Sequence, residues 1–210
     1  MDYKILLTRI LSGIVMSSMF IFLLSYSNIM INIFMNIIYL FIFFEVLFFF
    51  KKNKFLFLIL IYLSISLTFS NIYFLYQFKI LQIILFIILI ISFDSFSYFF
   101  GSAFGKKKIF KSISKNKTYV GLFSGLFASL IIGFYFNYYF SIYNNIIFLL
   151  FSLPVLLFSF AGDIIESYFK RISNIKDSSF LIPGHGGFFD RFDSYVLSIY
   201  FLFVFSLFFK

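Results

Sequence analysis

The sequence predicts an all-α polytopic membrane protein, a bundle of about seven transmembrane helices with a cytoplasmic N-terminus. Three observations carry this. Of the 210 residues, 62% are hydrophobic and only 12% charged, and mean hydropathy is +1.05. The apolar residues gather into runs long enough to span a bilayer, and the basic residues fall between alternate runs. Soluble domains average roughly 45–50% apolar and 25% charged residues. A soluble core of this size cannot hide so much apolar side chain, so lipid must be the solvent.

Crossing a hydrocarbon core of about 30 Å takes about 17–25 helical residues. Such runs occur at 10–26, 29–50, 55–70, 78–100, 119–140, 144–165 and 194–209. No small-residue cleavage site follows the first, so Ile10–Tyr26 reads as a retained span rather than a removed signal. Short cytoplasmic loops carry the excess of lysine and arginine. Lys4 and Arg9 precede the first run; Lys51, Lys52 and Lys54 follow the second. Lys106, Lys107, Lys108, Lys111, Lys115 and Lys117 follow the fourth, and Lys170, Arg171, Lys176 and Arg191 follow the sixth. Only Lys79 and Lys210 fall on the other side. The bias places residues 101–118 and 166–193 in cytoplasmic loops. It also explains the net charge of +9 through topology and anionic headgroups rather than nucleic acid.

The acids divide the chain. Asp94, Asp163, Glu166, Asp177, Asp190 and Asp193 lie in the second half, with only Asp2 and Glu45 in the first. Residues 1–77 therefore read as scaffold and 78–210 as the working part. With no cysteine, strong side-chain metal ligands are restricted to Asp, Glu and the single histidine, His185.

Along the fourth run, Asp94, Ser97 and Gly101 share a helix face, with Gly105 continuing it. An ionisable group within an apolar run is costly and marks a functional position with a partner inside the bundle. The segment "SISKNKT" adds hydroxyls and lysines, Lys117 among them, that suit a polyphosphate. Gly121, Gly125, Ser129 and Gly133 recur every four residues, a stripe that lets another helix backbone approach, within the chain or in a homodimer. Asp163, Ser167 and Lys170 fall at i, i+4 and i+7 with Glu166 beside them. Carboxylates and phosphates repel, so acids mixed with bases at one helix end point to a cation between the two. Pro183, Gly184, Gly186 and Gly187 force a close-approach loop around His185. Asp190 and Asp193 follow at i, i+3, with Arg191 between them as a phosphate fork. The residues together specify an oxygen-ligated metal and a phosphate at a membrane interface.

The stretch "SYFKRISNIKDSSFLIPGHGGFFDRFDS", Ser167 to Ser194, resembles the C-terminal signature of the phosphatidate cytidylyltransferases, or CDP-diacylglycerol synthases. That signature has a serine, Lys-Arg, Lys-Asp, Pro-Gly-His-Gly-Gly and Asp-Arg-x-Asp. Asp94 to Lys108 resembles the family's Asp-x-x-Ala-Tyr segment, and Ser114 to Gly121 its Ser-Pro-x-Lys-Thr segment. Ser97, Lys115 and Val120 stand where the family has Ala, Pro and Glu. The chain is also shorter than many members, with fewer N-terminal helices expected.

The resemblance implies transfer of a cytidylyl group from CTP to phosphatidic acid, giving CDP-diacylglycerol and pyrophosphate with Mg²⁺. A second, monovalent cation such as K⁺ is part of the same implication. It makes Asp163 and Asp190 the metal ligands, and gives phosphates to Lys170, Arg171, Lys176 and Arg191. The glycines around His185 shape the nucleotide pocket, and Ser167, Asp177, Gly186, Gly187, Asp193, Lys117 and Asp94 complete the substrate contacts. Two readings compete: a CTP-dependent lipid kinase or transferase with another lipid acceptor, and an ion-coupled transporter. The transporter reading expects acids spread through helix centres, whereas these cluster toward one end.

Overall fold

The computed structural model describes residues 27–110, 112–114, 117–182 and 186–209. Its helices are α1 (Asn28–Phe49), α2 (Leu56–Ile72), α3 (Ile80–Phe104), α4 (Tyr119–Phe140), α5 (Asn145–Ile172) and α6 (Phe189–Phe208). A π-helical turn, Tyr73–Gln77, extends α2 before the chain breaks at Phe78. Each of the six, α2 taken together with its π-helical turn as Leu56–Gln77, is long and apolar enough to cross a membrane, and among the described residues there is no strand beyond two isolated bridges. The chain is an integral membrane protein. The run at 10–26, like His185 and Lys115, lies outside the described residues.

Local chemistry starts the helices where the runs begin. Ser27, Thr118 and Asn144 each accept a first-turn amide, from Met30, Gly121 and Ile147, at 3.2, 3.1 and 2.9 Å. Three boundaries differ from the expectation, the first being the end of α3, which runs through Phe104 into the expected 101–118 loop. α5 continues seven residues past 165, through Ile172, and α6 begins at Phe189 rather than 194. Hydropathy marks where a helix is greasy, not where its hydrogen bonds stop. Residues 166–172 stay helical on pairs such as Glu166–Lys170 at i, i+4. Glu166, Ser167, Lys170, Arg171, Asp190, Arg191 and Asp193 are thus helical residues at the ends of two antiparallel helices.

α3 packs along α4 and α5 along α6, with α1, α2 and the π-turn joined to α6 on the other flank. Phe86, Leu89, Phe151, Val155, Ile199 and Leu202 are fully buried at their meeting. Outward-facing Phe57, Phe127 and Ile146 remain at least 70% exposed, as a lipid-facing surface requires. The Gly121–Gly133 stripe is used within the chain. A Cβ on Gly121 would sit 2.6 Å from the Ser97 carbonyl and 3.2 Å from Gly101 Cα. Gly121→Val is therefore expected to push α3 and α4 apart at a cost of about 1–3 kcal/mol. A lowered thermal midpoint in detergent would register this; an unchanged one would mean that the two helices separate freely.

The loops after α1, α3 and α5 converge at one end. Asn53 Nδ2 donates to Phe169 O at 3.1 Å and to Ser173 Oγ at 2.8 Å. Arg171 Nε donates to Ile113 O at 3.1 Å. The α3–α4 connection closes as a small hairpin, with Ile109 N donating to Lys117 O at 3.0 Å. Most of the described basic residues are thereby gathered near the ends of α3 and α5 and the start of α6.

Candidate functional site

At that end the bundle opens into a cavity of about 360 Å³, lined in part by Asp94, Lys117, Asp163, Lys170, Asp190 and Asp193. Each comes from a separate piece of local geometry. Helical spacing puts Asp163, Glu166, Ser167 and Lys170 toward one side of α5. Ser167 Oγ donates to Asp163 Oδ1 at 3.4 Å, and Lys170 Nζ reaches Glu166 Oε2 at 2.7 Å. Lys170 also reaches across to Asp190 Oδ1 at 2.8 Å, tying α5 to α6. Gly162 sets how closely those helices approach: a Cβ there would stand 2.5 Å from the Asp193 carbonyl oxygen.

The close approach builds a carboxylate cluster. Asp163, Glu166 and Asp193 each offer an oxygen within 4.8 Å of the other two. Glu166 is buried, and its Oε1 has no hydrogen-bond partner among the described residues. A buried acceptor facing two further carboxylates suits a hard divalent cation held by oxygen. Lys117 approaches from the α3–α4 hairpin, with Nζ 2.6 Å from Asp163 Oδ2 and 4.5 Å from the Phe160 ring centroid. Asp94 opens onto the same space from α3, and its Oδ2 accepts from Ser194 Oγ at 3.4 Å.

Asp190 is held differently. Its Oδ2 accepts from the amides of Ser178 and Gly187, both at 2.9 Å, while Oδ1 faces Lys170. It shares the cavity with Asp163, but the three-carboxylate cluster contains Asp193 and Glu166 instead. Gly186 adopts φ +84°, and any Cβ there would crowd Asp190 Oδ2 at 2.6 Å, so the glycine shapes the cradle around that carboxylate. Arg171, Lys176, Asp177 and Arg191 are exposed and do not line the cavity. Val120 lies exposed on the first turn of α4.

One buried acid stands behind the site. Glu45 of α1 is fully buried and receives four hydrogen bonds. Oε1 accepts from Ser179 Oγ at 2.6 Å and Phe188 N at 2.7 Å; Oε2 accepts from Ser178 Oγ at 3.0 Å and Phe189 N at 2.9 Å. The carboxyl group thus caps the start of α6, whose Phe188 N-cap provides no side-chain acceptor of its own. A sequence signal for it existed: an ionisable residue inside an apolar run, the criterion that singled out Asp94.

Residues 48–209 match the cytidylyltransferase family. The chain is 36% identical over 152 residues to the phosphatidate cytidylyltransferase of Staphylococcus epidermidis strain RP62A. It is 34% identical over 152 residues to that of Staphylococcus aureus strain COL and 33% identical over 153 residues to that of Staphylococcus saprophyticus. Each match covers 70% of this chain and 58% of the relative, so the chain spans somewhat over half the length of these curated proteins.

Proposed function

The chain belongs to the cytidylyltransferase family, and on that premise we propose that it transfers a cytidylyl group from CTP to phosphatidic acid, releasing pyrophosphate. The observation that carries this reading is the meeting of Asp163, Asp193 and the buried Glu166 with Lys117 and Lys170 at one cavity at the end of a membrane bundle. Acids and ammonium groups in one desolvated space suit phosphates that arrive with a cation.

A phosphate oxygen of the lipid attacks the α-phosphorus of CTP. The new P–O bond forms as the α–β bridge breaks, and the electron pair leaves with pyrophosphate. Positioning and charge neutralisation supply most of the rate in such transfers. Mg²⁺ held by Asp163, Glu166 and Asp193 would neutralise charge on the triphosphate and on the leaving group. A second, monovalent cation such as K⁺ belongs to the same proposal, as does a metal-ligand role for Asp190.

Lys117 and Lys170 each sit beside a carboxylate and offer further N–H donors to phosphate oxygens. Arg171, Lys176 and Arg191 meet the triphosphate at the mouth, and the glycine loop at His185, Gly186 and Gly187 shapes the nucleotide pocket. Ser167 orients Asp163, and Asp190 fixes Lys170. The lipid phosphate is already ionised at neutral pH and needs no strong base.

The proposed frame has about seven helices with the N-terminus and this cavity on the cytoplasmic side of a bacterial-type inner membrane. A homodimer rests on family resemblance alone, because the glycine stripe is spent on α3.

The test is purified protein with labelled CTP and phosphatidic acid, with Mg²⁺ supplied or chelated. A CDP-lipid and pyrophosphate are expected only when Mg²⁺ is present; CDP with a phosphorylated alcohol would instead identify a lipid kinase. For the topology, a cysteine replacing the 85% exposed Phe180 should react with an impermeant maleimide in inverted vesicles. Reaction in intact cells would reverse the orientation.

A further inference from the structure

The opposite end of the bundle holds a second, larger cavity of about 630 Å³, bounded by the start of α3, the α4–α5 turn and the end of α6. Its lining side chains include several donors, among them one charged. Lys79 lines it and is, among the described residues, the one lysine or arginine not gathered at the other end. The charge bias that explains the loop lysines does not explain this one. Gln82 also lines the cavity and is 1% exposed. Its Oε1 accepts from Tyr73 OH at 3.4 Å, and its Nε2 has no partner among the described residues. The buried hydroxyl of Tyr143 is likewise unpartnered.

α3 begins here with Lys79 as N-cap and no side-chain cap, so its first-turn amides face this end with the positive pole of a 25-residue helix. Among the described residues, no Asp or Glu lines the cavity. The turn on its far rim is fixed by Asn137, whose Nδ2 donates to Tyr143 O and whose Oδ1 accepts from Tyr143 N, both at 2.9 Å. Beside these donors lie Ile142, Ile147 and the exposed, lipid-facing Phe208.

The geometry points to a binding site for the phosphodiester headgroup of an anionic phospholipid, at the end of the bundle remote from the carboxylate cluster. A phosphodiester offers only acceptors and one negative charge, matching a lysine, an unpaired amide, a hydroxyl and a helix N-terminus. The apolar wall continues into the lipid-facing surface, so acyl chains leave the cavity without crossing polar protein. This inference is independent of the reaction catalysed at the other end.

The sequence contains no tryptophan, so Phe208→Trp places a single fluorophore at the cavity. The protein is reconstituted in vesicles containing acyl-brominated phosphatidylglycerol or acyl-brominated phosphatidylcholine. Half-maximal quenching is expected at an about fivefold lower mole fraction of the anionic lipid, the worth of one lysine near an anionic headgroup. Lys79→Met with Gln82→Leu should abolish that preference while CTP turnover persists, and Lys79→Arg should retain it. Equal quenching by the two lipids overturns the assignment, as does a preference that survives the double substitution. Loss of the preference in millimolar inorganic phosphate also overturns it, giving the site to a soluble anion.

Discussion

Asp163→Asn is expected to slow cytidylyl transfer on the order of a thousandfold while leaving the protein folded in the membrane. Asp163 lines the cavity with its side chain one-third exposed, and it is shared between Lys117 and the neighbouring carboxylates. An amide there keeps the volume and one acceptor oxygen but removes the charge that balances both Lys117 and a cation. The rate should fall without a loss of helical content, and the Mg²⁺ concentration for half-maximal activity should rise. Asp193→Asn should behave in the same way, because its oxygen belongs to the same cluster. Asp190→Asn should combine lost turnover with a loosened Ser178–Gly187 loop, since its carboxylate also holds two amides. Wild-type turnover in the Asp163 variant would remove the carboxylate cluster from the reaction.

Glu45→Leu is expected to be the most destabilising single change among the acids. The leucine leaves the amides of Phe188 and Phe189 buried without an acceptor, while the serine hydroxyls can turn to other partners. At roughly 1–3 kcal/mol for each orphaned amide, the cost is roughly 2–6 kcal/mol. Glu45→Gln should cost about half as much, because its nitrogen must face one of the two amides, donor against donor. Thermal unfolding in detergent reads both, and the expected order is wild type, Gln, Leu. Turnover should fall with them, because Asp190 and Asp193 ride on the turn that Glu45 anchors. A Leu variant as stable as wild type would show that the α6 start holds itself.

The contrast between these two acids marks how far sequence reasoning reaches. Helix spacing is a local property, so the face carrying Asp163, Glu166, Ser167 and Lys170 was legible from one window of residues. The apolar runs likewise located six helices, though they misjudged where α5 ends and α6 begins. Those ends are set by hydrogen bonds such as Lys170–Glu166 rather than by hydropathy. The pairing of Asp193 with Asp163 depends on the approach of α5 to α6 at Gly162, a distance that no single segment encodes. The glycine stripe announced close packing but not its partner, which turned out to be the Ser97 and Gly101 face of α3. Glu45 is the extreme case, because all four of its donors come from the distant segment between Ser178 and Phe189.

That distance has a consequence for how the chain is made. The donors that satisfy Glu45 lie 133 to 144 residues downstream, so the carboxyl group enters the bilayer on a nascent helix well before the ribosome has supplied its partners. An ionisable group in an apolar helix is costly until it is matched. The early helix can therefore settle only when the last one arrives. A chain stalled or cut before Ser178 would keep a fully unsatisfied acid in its second apolar run, a defect that exposes it as incomplete to membrane quality control.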